Sequence, residues 1–221
     1  FEAYSLLLAR EMPVSRAAEI LGTTDMRLWR ILFAHVDLAY QRMDFCNVTR
    51  VGVDELNIRK GHDYISVFAD LEKRSVLFAT EGKDHETLER FIAALEAHNG
   101  HRHAVKWASM DMSEAYVKGV TQCCRNAQIV FDKFHIIANV NKALDKVRRA
   151  EIRRAQKGVW QQLAKSQWLW RKNPENLTEK EQERLDALDQ ESLLTAKAYQ
   201  MKLELQKIYQ MTDPHQATRR L

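Results

Sequence analysis

Two aspartates of this chain each follow a short apolar run that is typical of a β-strand. Asp54 comes after residues 51–53, Val-Gly-Val, and Asp111 comes after residues 105–110, Val-Lys-Trp-Ala-Ser-Met. A carboxylate at a strand end can hold Mg²⁺ or Mn²⁺, because hard divalent cations prefer oxygen ligands and Mg²⁺ usually takes one or two protein carboxylates beside phosphate oxygens. The pair therefore suggests metal-dependent phosphoryl transfer. The alternative is that both aspartates are ordinary turn formers at strand ends.

The residues around these aspartates predict five strands and two helices in the order βββαβαβ. Apolar runs mark the strands, at residues 51–55, 63–70, 75–80, 105–111 and 127–132. The first three strands follow one another closely, which favours antiparallel neighbours. Amphipathic helices are predicted from Thr87, with an apolar stripe between Leu88 and Leu95, and after Ser113, a candidate helix cap.

The last two strands are each preceded by a single crossover helix, so we expect them to lie parallel in one sheet. Asp111 and Asp132 would then lie at the same sheet edge. Asp54 would join them if the first strand also runs parallel to these two. The fold class predicted from this pattern is α/β.

Four blocks of sequence occur in a distinctive order: residues 51–55 with 59–62, residues 109–113 with Tyr116, residues 131–135, and residues 171–178. Together they resemble the DDE transposases of the ISL-three insertion-sequence family. The resemblance implies a ribonuclease H-like core, a fold whose enzymes cut or join nucleic acid strands with two metal ions about 3.5–4 Å apart. It also implies that Asp54 and Asp111 are the first two members of the catalytic triad, with Asp54 bridging both metal ions and Asp111 holding one.

The third catalytic carboxylate is expected outside this chain. In the family a Glu follows an α-helical insertion, and this chain ends at Leu221, which we place inside that insertion. Glu151 is an alternative third ligand, because it continues the apolar stripe of a predicted helix at the next helical step and would point inward. If the missing Glu is the third ligand, the chain is a fragment that binds metal weakly and has little or no activity.

Asp132 and His135 are candidate accessory residues. By the predicted topology they lie at the sheet edge that carries Asp111, where they would orient DNA or water. The alternative is structural, with Asp132 as a helix cap and His135 as a buried, hydrogen-bonded histidine.

The amino-terminal residues have the spacing of a helix-turn-helix. Small residues allow two helices to approach, a glycine permits the turn and a threonine can cap the second helix; these residues are Ala17, Ala18, Gly22, Thr23 and Thr24. The second helix would present Arg27 and Arg30 to the major groove of transposon-end DNA. The alternative is a helical hairpin that only packs or dimerises.

Positive charge is concentrated between Lys133 and Lys172, where 11 Lys or Arg residues stand against two acidic residues in a chain whose net charge is +4. We expect four arginines of this segment to neutralise DNA phosphates: Arg148, Arg149, Arg153 and Arg154. Three tryptophans are interleaved, Trp160, Trp168 and Trp170, and we assign them to packing rather than to base stacking. The alternative is a solvated helix face over a tryptophan-rich core.

Composition argues against a membrane-spanning or disulfide-built protein. No apolar run approaches the roughly 20 residues of a membrane span, and the three cysteines, Cys46, Cys123 and Cys124, form neither a disulfide framework nor a paired zinc motif. These features predict a globular cytoplasmic protein without a membrane partner, and the family resemblance implies a bacterial one.

The resemblance and the element pattern together predict three segments. They are a helix-turn-helix over residues 1–47, a partial ribonuclease H-like core over residues 48–150 and an all-α insertion over residues 151–221. The expected partners are transposon-end and target DNA, and a homodimer is a candidate assembly. Two other functions stay open: a ribonuclease H-like nuclease or resolvase, which would cleave DNA without joining it, and a non-catalytic regulator, which would bind element ends without cutting.

Overall fold

The computed structural model describes residues 1–58, 63–155, 157–190 and 193–221. Residues 59–62, which belong to the first block of the family resemblance, lie outside the described residues. The chain divides into a first unit, Phe1–Ala108 with Lys118–Gln128, and a second unit, Ser109–Val117 with Ile129–Leu221. The segment boundaries expected after residues 47 and 150 stay predictions.

Three helices precede the sheet in the first unit: α1 (Glu2–Glu11), α2 (Val14–Ile20) and α3 (Asp25–Gln41). Their small core contains Ala17, Ala18 and Leu28, all buried. The predicted close helix contact is therefore present.

The turn between α2 and α3 has the two features that the sequence predicts. Gly22 adopts a φ of 62°, a left-handed conformation that glycine adopts without steric cost. Thr24 is the N-cap of α3, and its Oγ1 accepts a hydrogen bond from the backbone N–H of Arg27 at 3.4 Å.

The first three strands are antiparallel neighbours, as predicted. They are β1 (Arg50–Asn57), β2 (Tyr64–Asp70) and β3 (Ser75–Glu81), with β1 paired to β2 and β2 paired to β3. Asp70 closes the turn that follows β2, because its Oδ1 accepts hydrogen bonds from the backbone N–H groups of Glu72 and Lys73 at 2.8 and 3.2 Å.

Helix α4 (His85–Ala97) supplies much of the core of the first unit. Asp84 caps it by accepting a hydrogen bond from the backbone N–H of Thr87 at 3.1 Å. The predicted stripe is buried, and the rings of Phe91 and Phe68 stack with centroids 4.4 Å apart and an interplanar angle of 2°. The amphipathic pattern thus fixes the side of α4 that packs on the strands.

The remaining elements of the sheet region are β4 (Trp107–Met110), α5 (Glu114–Cys123) and β5 (Gln128–Phe131). They complete the predicted order βββαβαβ in a five-stranded sheet with strand order β3-β2-β1-β4-β5. The backbone N–H of Gln128 donates to Lys106, and that of Asp132 donates to Met110, at 2.8 and 2.7 Å. Donor and acceptor advance together along the two strands, so β4 and β5 run parallel as predicted.

The rest of the second unit is helical, as expected: α6 (Lys133–Ile152), α7 (Lys157–Ala164), α8 (Glu179–Gln190), α9 (Leu194–Ile208) and α10 (Pro214–Arg220). Its apolar core includes Leu144, Leu163, Leu169, Trp170, Leu185, Leu188 and Tyr199. A capping box starts α8, because Thr178 and Glu181 exchange side-chain to backbone hydrogen bonds at 3.0 and 3.4 Å. Among the described residues, no helix is long and apolar enough to cross a membrane.

Candidate active site

Asp54 lies within strand β1, where it faces Val67 of β2 in the register. The strand continues to Asn57, so the prediction that Asp54 ends the strand is wrong. Side chains alternate between the faces of a strand; Val51 and Val53 are buried, whereas Asp54 is exposed. Asp54 Oδ1 accepts a hydrogen bond from the backbone N–H of Glu55 at 2.8 Å. Pleating, rather than a turn, therefore presents this carboxylate to solvent.

Asp111 directly follows β4 and is half-buried. Its Oδ1 accepts a hydrogen bond from the backbone N–H of Ser113 at 2.8 Å, which closes the tight turn into α5. The other oxygen, Oδ2, has no hydrogen-bond partner within the described part of the chain. One oxygen of Asp111 therefore shapes the turn, and the geometry leaves the second available as a ligand.

Asp132 directly follows β5, the parallel neighbour of β4, so Asp111 and Asp132 lie at the same sheet edge, as predicted. Asp132 is the N-cap of α6, and its Oδ1 accepts a hydrogen bond from the backbone N–H of Phe134 at 3.0 Å. His135 Nε2 lies 3.9 Å from Asp132 Oδ2, and both side chains are partly exposed. The structural alternative thus holds for Asp132 as a helix cap, whereas His135 is not the buried histidine of that alternative.

Asp54 belongs to the first unit and Asp111 to the second. Strands β1 and β4 are neighbours in the strand order of the sheet.

A family model described as Transposase, that of the ISL-three group, matches residues 51–221. This chain belongs to the ISL-three family of DDE transposases. The match begins at the strand that carries Asp54 and includes Asp111, Asp132 and all of the helical region.

Individual transposases are similar to this chain over a large part of its length. The transposase for insertion sequence element IS1001 of Bordetella parapertussis is 28% identical over 179 residues, which cover 80% of this chain and 44% of that protein. The transposase for insertion sequence element IS1557 of Mycobacterium tuberculosis is 32% identical over 126 residues, which cover 55% of this chain and 28% of that protein. The chain spans less than half the length of these curated relatives.

The donor atoms in this transposase chain suit a divalent metal ion. Aspartate oxygens are the hard ligands that Mg²⁺ and Mn²⁺ prefer, and two protein carboxylates are a usual number for Mg²⁺. Within residues 1–58, 63–155, 157–190 and 193–221, no group of three or more His, Cys, Asp or Glu side chains could hold a metal ion.

Glu151 has a structural task at the start of α9. Its Oε1 accepts a hydrogen bond from the backbone N–H of Leu194 at 2.7 Å. Its Oε2 accepts from the backbone N–H and the hydroxyl of Thr195 at 2.9 and 2.5 Å. A carboxylate at a helix N-terminus is stabilised by these donors and by the helix dipole. Because both oxygens are engaged there, the geometry argues against Glu151 as the third metal ligand.

The structure corrects the assignment of Arg148 to DNA. Its side chain is 6% exposed and donates to Asp145 Oδ1 from Nε and Nη2 at 2.9 and 2.8 Å and to the carbonyl of Leu163 from Nη1 at 2.9 Å. Burial raises the pKa of Asp145, but the hydrogen bonds and charges of Arg148 and Arg149 outweigh it and hold that pKa below its usual value. Arg148 thus cannot reach a phosphate while it makes these contacts.

The other arginines assigned to DNA are exposed. Arg149 pairs with Asp145 yet remains 65% exposed, and Arg153 and Arg154 are exposed where α6 ends. Arg27 and Arg30 are exposed on α3. All five are therefore accessible to a DNA backbone or base edge.

The three tryptophans of the basic segment differ in exposure. Trp170 is 1% exposed, and its Nε1 donates to Ser166 Oγ at 2.8 Å, so the packing role predicted for it is confirmed. Trp168 and Trp160 are 68% and 47% exposed, so neither is fully packed in the core.

Proposed function

We propose that this chain is the part of an insertion-sequence transposase that carries the first two catalytic carboxylates, Asp54 and Asp111. The observation that supports this most strongly is the family match, which begins at the strand of Asp54 and includes Asp111. Membership of the family supports DNA strand cleavage and transfer as the activity of the whole protein. The ribonuclease H-like identity of the core, with its βββαβαβ order, is part of the proposal.

Asp54 and Asp111 would hold a divalent cation, Mg²⁺ or Mn²⁺. Two such ions, when bound, supply an attacking hydroxide and stabilise the leaving 3′ oxygen during in-line displacement. Asp111 is positioned for this by its own turn, because the bond from Ser113 fixes the carboxylate at the end of β4. Asp132 orders the start of α6 at the same edge, and His135 beside it orients DNA or water.

DNA would be held by two basic surfaces, one in each unit. The phosphate contacts of the second unit come from Arg149, Arg153 and Arg154, which are exposed. In the first unit α2 and α3 act as a helix-turn-helix, and Arg27 and Arg30 read base edges at the element end. Their support is the tight α2–α3 turn and the exposed position of both arginines on α3. A cytoplasmic location in a bacterium and assembly as a homodimer on paired ends complete the proposal.

The decisive experiment separates cutting from binding in the full-length transposase. Asp54→Asn and Asp111→Asn should each abolish Mg²⁺-dependent cleavage of an element-end duplex, because each removes a charge that holds the metal, while end binding persists. Asp186→Asn is the matched control, since Asp186 is an exposed aspartate on α8, away from the proposed DNA-reading helix; it should cut like the wild type.

Three results would count against parts of this proposal. Wild-type cleavage by Asp54→Asn would remove this residue from the site. Cleavage by the wild type without strand joining would favour a nuclease or resolvase. End binding by the full-length wild type without any metal-dependent cleavage would favour a regulator.

A further inference from the structure

Trp168 presents a large aromatic ring to solvent beside a buried tryptophan. It is 68% exposed, whereas Trp170, two residues later, is 1% exposed. Trp168 directly precedes a short 3-10 helix, Leu169–Arg171, so its backbone belongs to an ordered turn. Single exposed apolar side chains are common on protein surfaces, and the neighbours of Trp168 decide whether this one is a binding feature.

Arg171 lies over the ring of Trp168, with its guanidinium carbon 4.8 Å from the ring centre. Its side chain makes no ion pair or hydrogen bond with any described residue, and its Nε is buried without a partner in that part of the chain. The cation is therefore held by the aromatic ring and not by an acidic group. An uncompensated guanidinium on an exposed tryptophan is suited to a ligand that has both an anionic group and a flat ring.

Buried cations fix the backbone on both sides of Trp168. Before it, Arg148 donates to the carbonyl of Leu163 at 2.9 Å. After it, Lys202 is buried and its Nζ donates at 3.0, 2.8 and 3.3 Å to three successive carbonyls, those of Trp170, Arg171 and Lys172. Two buried cations thus donate hydrogen bonds to the backbone of one short segment, and these bonds make the segment rigid.

Ser166 anchors the same turn from within the core. It is fully buried, its Oγ donates to the carbonyl of Leu163 at 2.7 Å, and it accepts from Trp170 Nε1 at 2.8 Å. Sites that bind a ligand gain affinity when their residues are already held in the bound geometry. The turn holds Trp168 in place in this way, although the ring of Trp168 faces outward and is not packed in the core.

We propose that Trp168 and Arg171 form a stacking site for an unpaired DNA base, with the base on the open face of Trp168 and its phosphate on Arg171. The ring remains largely exposed even with Arg171 over it, so it has area for a second flat group. Bases within a duplex are already stacked, and an aromatic platform therefore selects a base that has left the helix or lies in a single strand. This inference rests on the proposed function in one respect, that the chain binds DNA.

The test compares two fluorescein-labelled DNAs of the same sequence, a full duplex and the duplex with unpaired thymines at its centre. Affinities of the 221-residue chain are measured by fluorescence anisotropy. Trp168→Ala should weaken binding to the DNA with unpaired thymines by about 5- to 150-fold, the effect of losing one base–aromatic stack, and should leave duplex binding unchanged. Trp168→Phe keeps a ring and should retain most of the affinity for unpaired DNA.

Trp160→Ala is the matched control, because Trp160 is also an exposed tryptophan of the second unit; it should change neither affinity. Arg171→Ala should weaken binding to the unpaired DNA more than binding to the duplex. In a second measurement, 5-iodouracil replaces one unpaired thymine, and ultraviolet crosslinking followed by mass spectrometry should locate the crosslink at Trp168. Circular dichroism melting checks that the variants fold, and the crosslink with unaltered protein does not depend on any variant.

The remaining outcomes overturn the inference. An equal loss on both DNAs, no loss on either, or a crosslink elsewhere would each remove Trp168 as a stacking site. A change in oligomeric state with Trp168→Ala, measured by light scattering and without any DNA effect, would make the ring a protein contact. If the wild type binds neither DNA, the proposed DNA-binding function fails together with this inference, whereas duplex binding without a role for Trp168 refutes the inference alone.

Discussion

Lys202→Met should destabilise the helical unit although it removes a buried charge. The side chain of Lys202 is 1% exposed, and methionine fills a similar volume without a donor. The carbonyl of Trp170, in a buried hydrogen bond, and that of Arg171, in a partly buried one, then lose the Lys202 donor. The carbonyl of Lys172 loses the longer of its two bonds and still accepts from the Tyr199 hydroxyl at 3.1 Å. Lys202 therefore stabilises the fold through the carbonyl groups to which it donates hydrogen bonds.

The expected loss of stability is the cost of leaving carbonyl acceptors without a donor minus the gain from no longer burying an ammonium group. A buried acceptor left without a partner costs about 1–3 kcal/mol, and the partly buried carbonyls add less because water can reach them. Relief from burying an ammonium group offsets part of this loss. We expect a net destabilisation of about 2–3 kcal/mol, which for a chain of this length lowers the melting temperature by about 4–12 °C.

The pH dependence gives an independent check. Burial lowers the pKa of Lys202 from 10.5 to about 8. Between about pH 8 and pH 10.5 the unfolded chain then binds more protons than the folded one at this position, so the stability contributed here rises with pH across that window. Lys202→Met should lose this rise, and the difference in stability from the wild type should grow as pH increases.

The assay is thermal unfolding followed by far-ultraviolet circular dichroism at pH 7 and pH 9. Lys197→Met is the control, because Lys197 is an exposed lysine on the same helix, α9, and its melting temperature should stay within about 1 °C of the wild type, as is usual for such a surface change. A Lys202→Met protein as stable as the wild type at pH 7 would refute the reasoning that the carbonyls of Trp170 and Arg171 depend on this lysine.

Three further predictions concern charged residues. Arg148→Ala should destabilise the fold by about 3–5 kcal/mol because it removes the buried partner of the Asp145 carboxylate and leaves only the exposed Arg149 beside it. Arg149→Ala should change stability much less and should reduce by about one the slope of log affinity for DNA against log salt. Urea unfolding measures the first effect and salt titrations measure the second. Glu151→Ala should cost about 0.5–2 kcal/mol through the lost cap of α9 and should not alter the metal dependence of cleavage in the full-length protein, and a changed metal dependence would restore this residue as a ligand. Arg27→Ala and Arg30→Ala should each reduce the preference for element ends over random duplex in competition binding by about 1–3 kcal/mol, and equal weakening on both DNAs would reassign them to the backbone.

The element order was accessible from the sequence because it depends on local patterns. Apolar runs and helical stripes determine which face of each element is buried, and that information lies within a few residues of each position. The end of β1 was not accessible in this way. Pairing of Asn57 with Tyr64 extends the strand beyond Asp54, and a strand end set by its partner cannot be read from the strand alone.

The error over Arg148 has a physical origin. A count of basic residues treats every arginine as solvent-exposed, yet Arg148 lies four positions after the buried Leu144 and three after Asp145, on the face of α6 that packs. That spacing was the available signal, since residues three and four apart lie on one helix face. The cap formed by Glu151 had no such signal, because its partners on α9 are more than 40 residues away in the chain.

The sequence pattern also does not predict which of Trp168 and Trp170 is buried. Side chains two positions apart in a tight turn point in different directions, so only one of the two can enter the core. The hydrogen bond from Trp170 to Ser166 and its contact with Tyr199, at 5.5 Å between ring centres, determine which one is buried. Tyr199 belongs to α9, and the sequence pattern around the tryptophans does not identify that partner.

The cations of the second unit thus form two groups, buried and exposed, and we expect the two groups to have different roles. Arg148 and Lys202 are compensated where they lie by a carboxylate and by carbonyls, because a buried charge is tolerated only when its donors are satisfied. They are consequently unable to release counterions from DNA, so under the proposed function the salt dependence of binding comes from exposed cations such as Arg149, Arg153 and Arg154. Arg148 and Lys202 hold the backbone beside Trp168 and Arg171. The cations that are too buried to contact DNA therefore fix the surface that we propose binds it.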